Sequence, residues 1–276
     1  MKISRGKFIK YSLQFLSGLF LLDALWIEKF FIEVNEFYLK DATAKTDNFK
    51  FIQVSDLHLH AVGYSLKKIA KQINDSKADL VFFTGDSIDK AENLKLLREF
   101  LQLIDTSIQK TAILGNWEYW GNVDVRKLRL LYSDFNCDLL INKSKQYTIR
   151  NKSISVTGID DYVGGNADYL LAMKTYQESD FHVVLTHCPE HRDVIATQTH
   201  DKIDLILSGH THGGQINIFG YAPFKPPGSG KYTRGWYTES QPPLYVSKGI
   251  GTSILPVRFG ARSEISIFNL KDVEQP

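Results

Sequence analysis

Two histidines one residue apart, His210 and His212, sit in the run Gly209-His210-Thr211-His212-Gly213-Gly214. The run directly follows Ile203-Asp204-Leu205-Ile206-Leu207-Ser208, an apolar stretch that reads as a buried strand. Neutral imidazole is the commonest protein ligand for transition metals. Two imidazoles on a strand-end turn can reach two ions, or one ion from two sides. The flanking glycines let the backbone turn sharply and approach whatever is bound.

Other apolar runs end in the same chemistry. Phe49 to Ser55 leads into Asp56-Leu57-His58-Leu59-His60, and Leu80-Val81-Phe82-Phe83 leads into Thr84-Gly85-Asp86-Ser87-Ile88-Asp89. Thr111-Ala112-Ile113-Leu114 ends in Gly115-Asn116-Trp117-Glu118, and Phe181 to Thr186 ends in His187. Taken singly, each polar residue has an ordinary reading: Asp56 or Asp86 as a cap, Asn116 as a turn residue, His187 as a core histidine. Five strand ends of one chemical type argue for convergence on one rim, since ligands bind beyond strand carboxyl ends in α/β sheets. The oxygen and nitrogen donors suit Mn, Fe, Zn or Co better than Ca or Mg. Seven ligands are too many for one tetrahedral ion and suit two ions sharing a bridge.

The elements that carry these residues alternate. Residues 65–74, 93–104 and 125–135 place apolar side chains at helical spacing between the first strands. Strand–helix alternation predicts an α/β layered fold. The second half is richer in strands: a hairpin over 146–158 around Asn151-Lys152, the two strands before His187 and His210, and short strands near 215–219, 244–247 and 263–269. A Pro/Gly-rich loop, 222–234, lies between them. The chain has 276 residues, 43% hydrophobic and 23% charged, with formal net charge +2. That is a globular composition with no global basic field, so no nucleic-acid partner is expected. Cys137 and Cys188 form no disulfide framework and no Cys-x-x-Cys unit. Cys188 reads as a small buried hydrophobe rather than a catalytic thiol.

Residues 1–40 differ. Lys2, Arg5, Lys7 and Lys10 precede an apolar run from Leu13 to Leu22, a signal-like layout without a small-x-small cleavage site. The run is shorter than the roughly 20 apolar residues that span a bilayer. Ser4-Arg5-Gly6-Lys7-Phe8-Ile9-Lys10 resembles a twin-arginine export signal with glycine at the second arginine. Aromatic residues from Trp26 to Tyr38 extend the greasy stretch, and basic residues beside it suit a membrane surface.

In order, Asp-x-His, Gly-Asp-x-x-Asp, Gly-Asn-x-Glu, a lone histidine after a strand and Gly-His-x-His closely resemble the calcineurin-like metallophosphoesterases over about residues 49–270. The run through Gln215, with Lys231-Tyr232-Thr233-Arg234-Gly235 and Tyr245-Val246-Ser247-Lys248-Gly249, resembles the bacterial membrane-associated branch. That branch includes phosphodiesterases with export-like N-termini and relatives acting on lipid A precursors. The resemblance implies a four-layer αββα sandwich of two mixed sheets flanked by helices. It implies a first metal held by Asp56, His58, Asp86 and His212, and a second held by Asp86, Asn116, His187 and His210, with Asp86 bridging. Asn116 and His210 would also act in catalysis. Two such cations lower the pKa of a bridging water, and the resulting hydroxide attacks phosphorus in line.

One position departs from the family. Many relatives carry histidine after the asparagine, poised to protonate the leaving oxygen; here it is Trp117. Indole is no general acid, which leaves His60 as the candidate and favours acidic leaving groups. Asp89 and Glu118 are expected to orient ligands or loops. Arg234 and Arg258 read as surface or structural arginines that could also contact substrate. The expectation is thus a signal-like or membrane-associating segment over 1–40 and one catalytic domain over 41–276. The domain would hydrolyse a phosphodiester or diphosphate, lipid-linked substrates included, with two divalent ions (Mn, Fe, Zn or Co). It would sit at the cytoplasmic membrane through its N-terminus, or otherwise in the cytoplasm. A non-catalytic scaffold and a phosphoprotein phosphatase are the competing readings.

Overall fold

Twelve strands build two six-stranded sheets in a computed structural model that describes residues 4–41 and 49–272. The strands in chain order are β1 (Glu33–Asp41), β2 (Phe49–Val54), β3 (Leu80–Thr84), β4 (Gln109–Ile113), β5 (Cys137–Leu139), β6 (Lys143–Ile149), β7 (Lys152–Gly158), β8 (Phe181–Leu185), β9 (Leu205–Ser208), β10 (Gly235–Tyr237), β11 (Leu244–Val246) and β12 (Glu264–Asp272). The first sheet runs β1-β12-β2-β3-β4-β5 and the second β10-β11-β9-β8-β7-β6. In the first, β2 to β5 are parallel and β12 is antiparallel to β2. In the second, β7, β8, β9 and β11 are parallel, with antiparallel β6 and β10 at the edges.

The apolar runs of β3 and β8 are buried along their whole length because both sheet faces are covered. Between the sheets lies an aromatic-rich layer in which Phe51 stacks on Phe268 at 4.9 Å and meets Phe82 at 5.3 Å. Residues of alternate parity point outward. Ile52, Val54, Val81 and Phe83 pack under helices α3 (Tyr64–Ser76), α4 (Leu94–Leu101) and α6 (Val125–Ser133) through Ile69, Ile73, Phe100, Leu128 and Tyr132. On the second sheet's outer face, Val184 and Ile206 lie under α7 (Tyr169–Met173) and α8 (His191–Gln198). The result is the four-layer αββα sandwich. A short α5 (Asn116–Trp120) follows β4. At the carboxyl end the sheets are tied together, since Gln53 Nε2 donates to the Ser208 carbonyl at 2.9 Å.

Three local expectations differ. Residues 215–219 are no strand: His212, Gly213, Gly214 and Gln215 all have positive φ, which extended backbone cannot adopt. Only isolated bridges, Ile216–Phe259 and Ile218–Tyr221, remain there. The hairpin turn falls on Arg150 and Asn151, both at positive φ, as a tight turn between twisted strands requires. The sheet also begins ahead of residue 40, because β1 pairs in parallel with β12.

The N-terminal helix is longer than its apolar run. Helix α1 (Arg5–Leu22) continues through a π-turn, Asp23–Ile27, into α2 (Glu28–Phe30). No proline or glycine interrupts residues 23–30. By length and composition the 26-residue helix could cross a membrane; at 1.5 Å per residue it is roughly 39 Å long, against about 30 Å of hydrocarbon. Its last turns are fixed to the domain. Arg258 N–H donates to the Ala24 carbonyl at 3.0 Å, and the Glu28 carboxylate accepts Gly260 and Ala261 N–H groups at 2.8 Å each.

Candidate metal centre

Asp56, His58, Asp86, Asn116, His187, His210 and His212 lie on one rim, all buried. The loops that carry them bond directly to one another. Asp56 N–H donates to the Gly85 carbonyl and His58 N–H to the Asp86 carbonyl. Both carboxylate oxygens of Asp56 accept the His210 N–H, at 2.9 and 3.2 Å. Glu118 draws the β3 and β4 loops together by accepting N–H groups of Asp86, Ser87 and Gly115 at 3.1, 2.7 and 2.9 Å. The backbone approach is close enough to require glycine: a Cβ on Gly209 would fall 2.3 Å from Asp56 Oδ2.

Five of the ligand positions, Asp56, His58, Asp86, His210 and His212, have φ between 42° and 72°. Non-glycine residues avoid this region, and such strain concentrates at functional sites. It aims each side chain inward from a strand end.

The ligand atoms form two groups. Donor atoms of Asp56, His58 and His212 lie within 4.8 Å of one another, as do those of Asp86, His187 and His210. Asp86 stands between the groups: its Oδ2 is 3.0 Å from His187 Nε2 and 3.7 Å from His58 Nε2. Inside, Asn116 Oδ1 is buried with no hydrogen-bond partner among the described residues, and His187 Nε2 is buried with the Asp86 carboxylate as its neighbour. Buried polar atoms are seldom left as Asn116 Oδ1 is, and both atoms are of the type that ligates a divalent ion, so the residues fit such ions.

The outer nitrogens set the tautomers, as hydrogen bonds around metal-ligating histidines do. His58 Nδ1 donates to Asp89 Oδ1 at 2.5 Å, and His187 Nδ1 to the Thr84 carbonyl at 2.8 Å. His210 Nε2 donates to the Pro227 carbonyl at 2.7 Å, leaving Nδ1 to face inward. His212 breaks this pattern. Its Nδ1 faces a donor, the Arg258 Nη2, at 3.2 Å.

Charge at the site is mixed. Burial opposes protonation of His58 and His187, but the surrounding carboxylates, Asp89 and Asp86 foremost, outweigh it and raise both pKa values. Burial lowers His210 and His212, with the neighbouring imidazoles and, for His212, the Arg258 guanidinium adding to it. Burial, then the Asp86 carboxylate, push Glu118 up to about 7 against its N–H donors. The carboxylates therefore offer a cation-attracting centre that histidine protons satisfy only in part.

A cavity of about 470 Å³ opens onto the ligands and is lined by Asp86, Asn116, His210 and His212 on its floor. Trp117, Trp120, Phe224, Ile254 and Leu255 make its walls. Trp117 Nε1 donates to Ser253 Oγ at 3.1 Å, and its ring meets His58 edge-on at 6.0 Å. His60 is not among the lining residues. It is exposed, with Nε2 3.3 Å from Asp89 Oδ2. Arg234 bonds the Gly260 carbonyl, and Cys188 is buried with Sγ 3.3 Å from Asp161 Oδ1.

The residue types did not reveal the loop after β7. Asp160 accepts Tyr119 O–H at 2.5 Å, and Gly164 passes so near Asn116 that a Cβ would lie 3.0 Å from its Cα. The signal in the sequence was Ile159-Asp160-Asp161, a carboxylate pair at a strand end like the others.

Residues 49–214 match the calcineurin-like phosphoesterase family. An uncharacterized metallophosphoesterase of Bacillus subtilis, YkuE, is 33% identical over 258 residues, covering 90% of this chain and 88% of that protein. An uncharacterized metallophosphoesterase of Aquifex aeolicus is 26% identical, covering 89% and 94%. Among solved structures, the sulfate thiohydrolase SoxB of Thermus thermophilus shares the fold at TM-score 0.50 and 12% identity, over 83% of this chain and 57% of that one.

Proposed function

The chain belongs to the calcineurin-like phosphoesterase family of metal-dependent phosphoester hydrolases, and from that premise we propose a two-metal enzyme that cleaves a phosphodiester or diphosphate. Asp56, His58 and His212 would hold one ion, and Asn116, His187 and His210 the other, with Asp86 shared between them. The observation that carries this is the position of Asp86 Oδ2, within 4 Å of one imidazole nitrogen from each group. Two divalent cations supply a water of lowered pKa and charge that offsets the phosphoryl oxygens.

The chain's own residues do the rest. Strained, mutually bonded loops fix the ligand atoms before substrate arrives, so little reorganisation is left for the reaction. Asn116 and His210, which also line the cavity, orient the phosphoryl group. The Trp117, Trp120, Ile254 and Leu255 wall accepts an apolar substituent. Trp117 gives no proton to a leaving oxygen, which suits a diester or diphosphate with an acidic leaving group. Where protonation is needed, His60 is the proposed donor.

The test is turnover of bis(4-nitrophenyl) phosphate and 4-nitrophenyl phosphate by the full chain, with and without added Mn, Zn or Co. Metal-dependent cleavage favouring the diester is expected. Asp86→Asn should lose this activity and metal from both sites. Turnover unaffected by chelation, or by Asp86→Asn, would refute the assignment.

A further inference from the structure

The cavity mouth is rimmed by apolar side chains standing in water. Of the cavity's own lining, Ile254 is 88% and Phe224 80% exposed, with Leu255 beside them; Phe219, fully exposed, and Tyr221 stand on the turn that follows the lining residue Ile216. Single exposed apolar residues need no explanation, but a group of them around a site marks a contact surface.

The rim is bonded to the foot of the N-terminal helix. Ile218 and Tyr221 close a tight turn with reciprocal backbone bonds of 2.8 and 3.0 Å, and Asn217 N–H donates to the Phe259 carbonyl at 2.7 Å. Gln215 Nε2 donates to the Leu255 carbonyl at 2.8 Å. The next residues, 258–261, are those that hold Ala24 and Glu28. Beyond that foot the helix is bare. Phe8, Leu13, Phe15 and Leu16 are exposed, and so are Trp26, Phe30 and Phe31 around its base. Aromatic side chains favour the water–lipid interface, and apolar spans the hydrocarbon.

Resting on the phosphoesterase reading, we propose that this rim dips into the membrane beside the helix, so that the metal site takes the phosphoester headgroup of a lipid in that membrane. The helix supplies the choice of occupant: its length suits a bilayer, and its foot is bonded to the segment that carries the rim. The apolar cavity walls then receive the first part of the lipid's chains, while the ligand floor meets the phosphate. A partner protein or a second copy would explain the exposed rim but not its attachment to a membrane-length helix.

The full chain tests this with an environment-sensitive thiol label, since Cys137 and Cys188 are buried. Labels are placed at Phe219→Cys, at Phe15→Cys in the helix, and at Leu130→Cys, an exposed position on α6. With phosphatidylglycerol/phosphatidylethanolamine vesicles, the labels at 219 and 15 should shift to the blue and the one at 130 should not. An aqueous label at 219 would overturn the proposal, whether or not the label at 15 shifts. A shift at 219 that grows with protein concentration and needs no vesicles would overturn it in favour of a second copy.

Activity gives an independent arm. Phe219→Ser combined with Tyr221→Ser should cut turnover of vesicle-borne hexadecyl 4-nitrophenyl phosphate roughly tenfold, given the free energy of burying aromatic side chains. Turnover of soluble bis(4-nitrophenyl) phosphate should not change. Equal losses on both, or none on either, would overturn the proposal. A wild-type chain that cleaves neither substrate defeats the phosphoesterase reading instead, and the labels still decide insertion.

Discussion

Glu118 accepts the backbone N–H of Asp86 at 3.1 Å, and so holds from behind the loop whose carboxylate stands between the two donor groups. The same carboxylate takes the N–H groups of Ser87, Ile88 and Gly115. Glu118→Ala leaves four N–H groups without that acceptor in a buried place, where each orphan costs about 1–3 kcal/mol. The expected outcome is loss of both metals and of turnover. Glu118→Gln keeps one carbonyl oxygen, and should weaken metal affinity by about 10–100-fold, as changes to ligand-supporting groups do. Metal content after gel filtration checks both. Full occupancy in Glu118→Ala would show that the loops hold without it.

His191 predicts a pH dependence of stability. Burial is the main cause that pushes its pKa down to about 4, against the opposing charge of Asp161. The ring stacks on Tyr162 at 4.8 Å, and its Nδ1 lies 3.2 Å from Thr186 Oγ1. Between pH 4 and the unfolded value near 6.5, the unfolded chain binds the proton and the folded chain does not. This contribution to stability is therefore complete above about pH 6.5 and falls as the pH drops toward 4. The linked change is up to about 3 kcal/mol. Urea unfolding of chelated protein across that range, compared with His191→Gln, measures it. The variant should be weaker at neutral pH but lose less on acidification; parallel curves would remove His191 as the cause.

Much of this centre was legible because its candidate ligands end largely buried runs. β2, β3, β4, β8 and β9 announce themselves by composition, and the residues just past each run carry the chemistry. The elements that escaped notice lack that contrast. β5 and β10 are three residues long, and β1 is half-exposed at a sheet edge, so its aromatics read as a greasy extension of the N-terminus. Composition also says nothing of dihedrals. The positive φ of Asp56, His58, Asp86, His210 and His212 arises from loops bonded across three strand ends. The tautomer-setting carbonyls of Thr84 and Pro227 are backbone atoms that any residue could offer. Arg258 is structural, as its place in the sequence suggests, but only the packed fold brings it to His212.

That contact predicts unequal metal sites. His58, His187 and His210 each donate their outer N–H to an acceptor, whereas His212 meets the Arg258 guanidinium. A donor at Nδ1 favours the proton on Nε2, and its positive charge repels a cation beside the ring. The Asp56/His58/His212 site should bind its ion about 10–100-fold more weakly than the other, the range seen when groups supporting ligands are altered. Stepwise chelation should release one ion well before the second. Early release should disappear in His58→Ala, which starts with a single tight ion, and the tight ion should disappear in His187→Ala. Simultaneous release of both ions from the wild-type chain would contradict the inequality.

Trp117 should make catalysis depend on the leaving group. Its indole lines the cavity, tied through Nε1 to Ser253, at the position directly after Asn116. A nitrophenolate leaves without a proton, while an alkoxide needs one as its bond to phosphorus breaks. General acid catalysis is worth roughly 10²–10⁴-fold, and alkyl phosphodiesters should be slower than nitrophenyl ones by a deficit of that order if no other acid serves. Trp117→His should recover alkyl substrates selectively. His60 tests the alternative source. It is exposed and paired with Asp89, which itself orients His58. If His60 delivers the proton, His60→Ala slows alkyl esters and spares nitrophenyl esters; if it only supports Asp89, both classes slow together with metal affinity. Similar rates for both substrate classes in the wild-type chain, with the chemical step limiting and neither substitution having an effect, would show that the absent histidine has no mechanistic consequence.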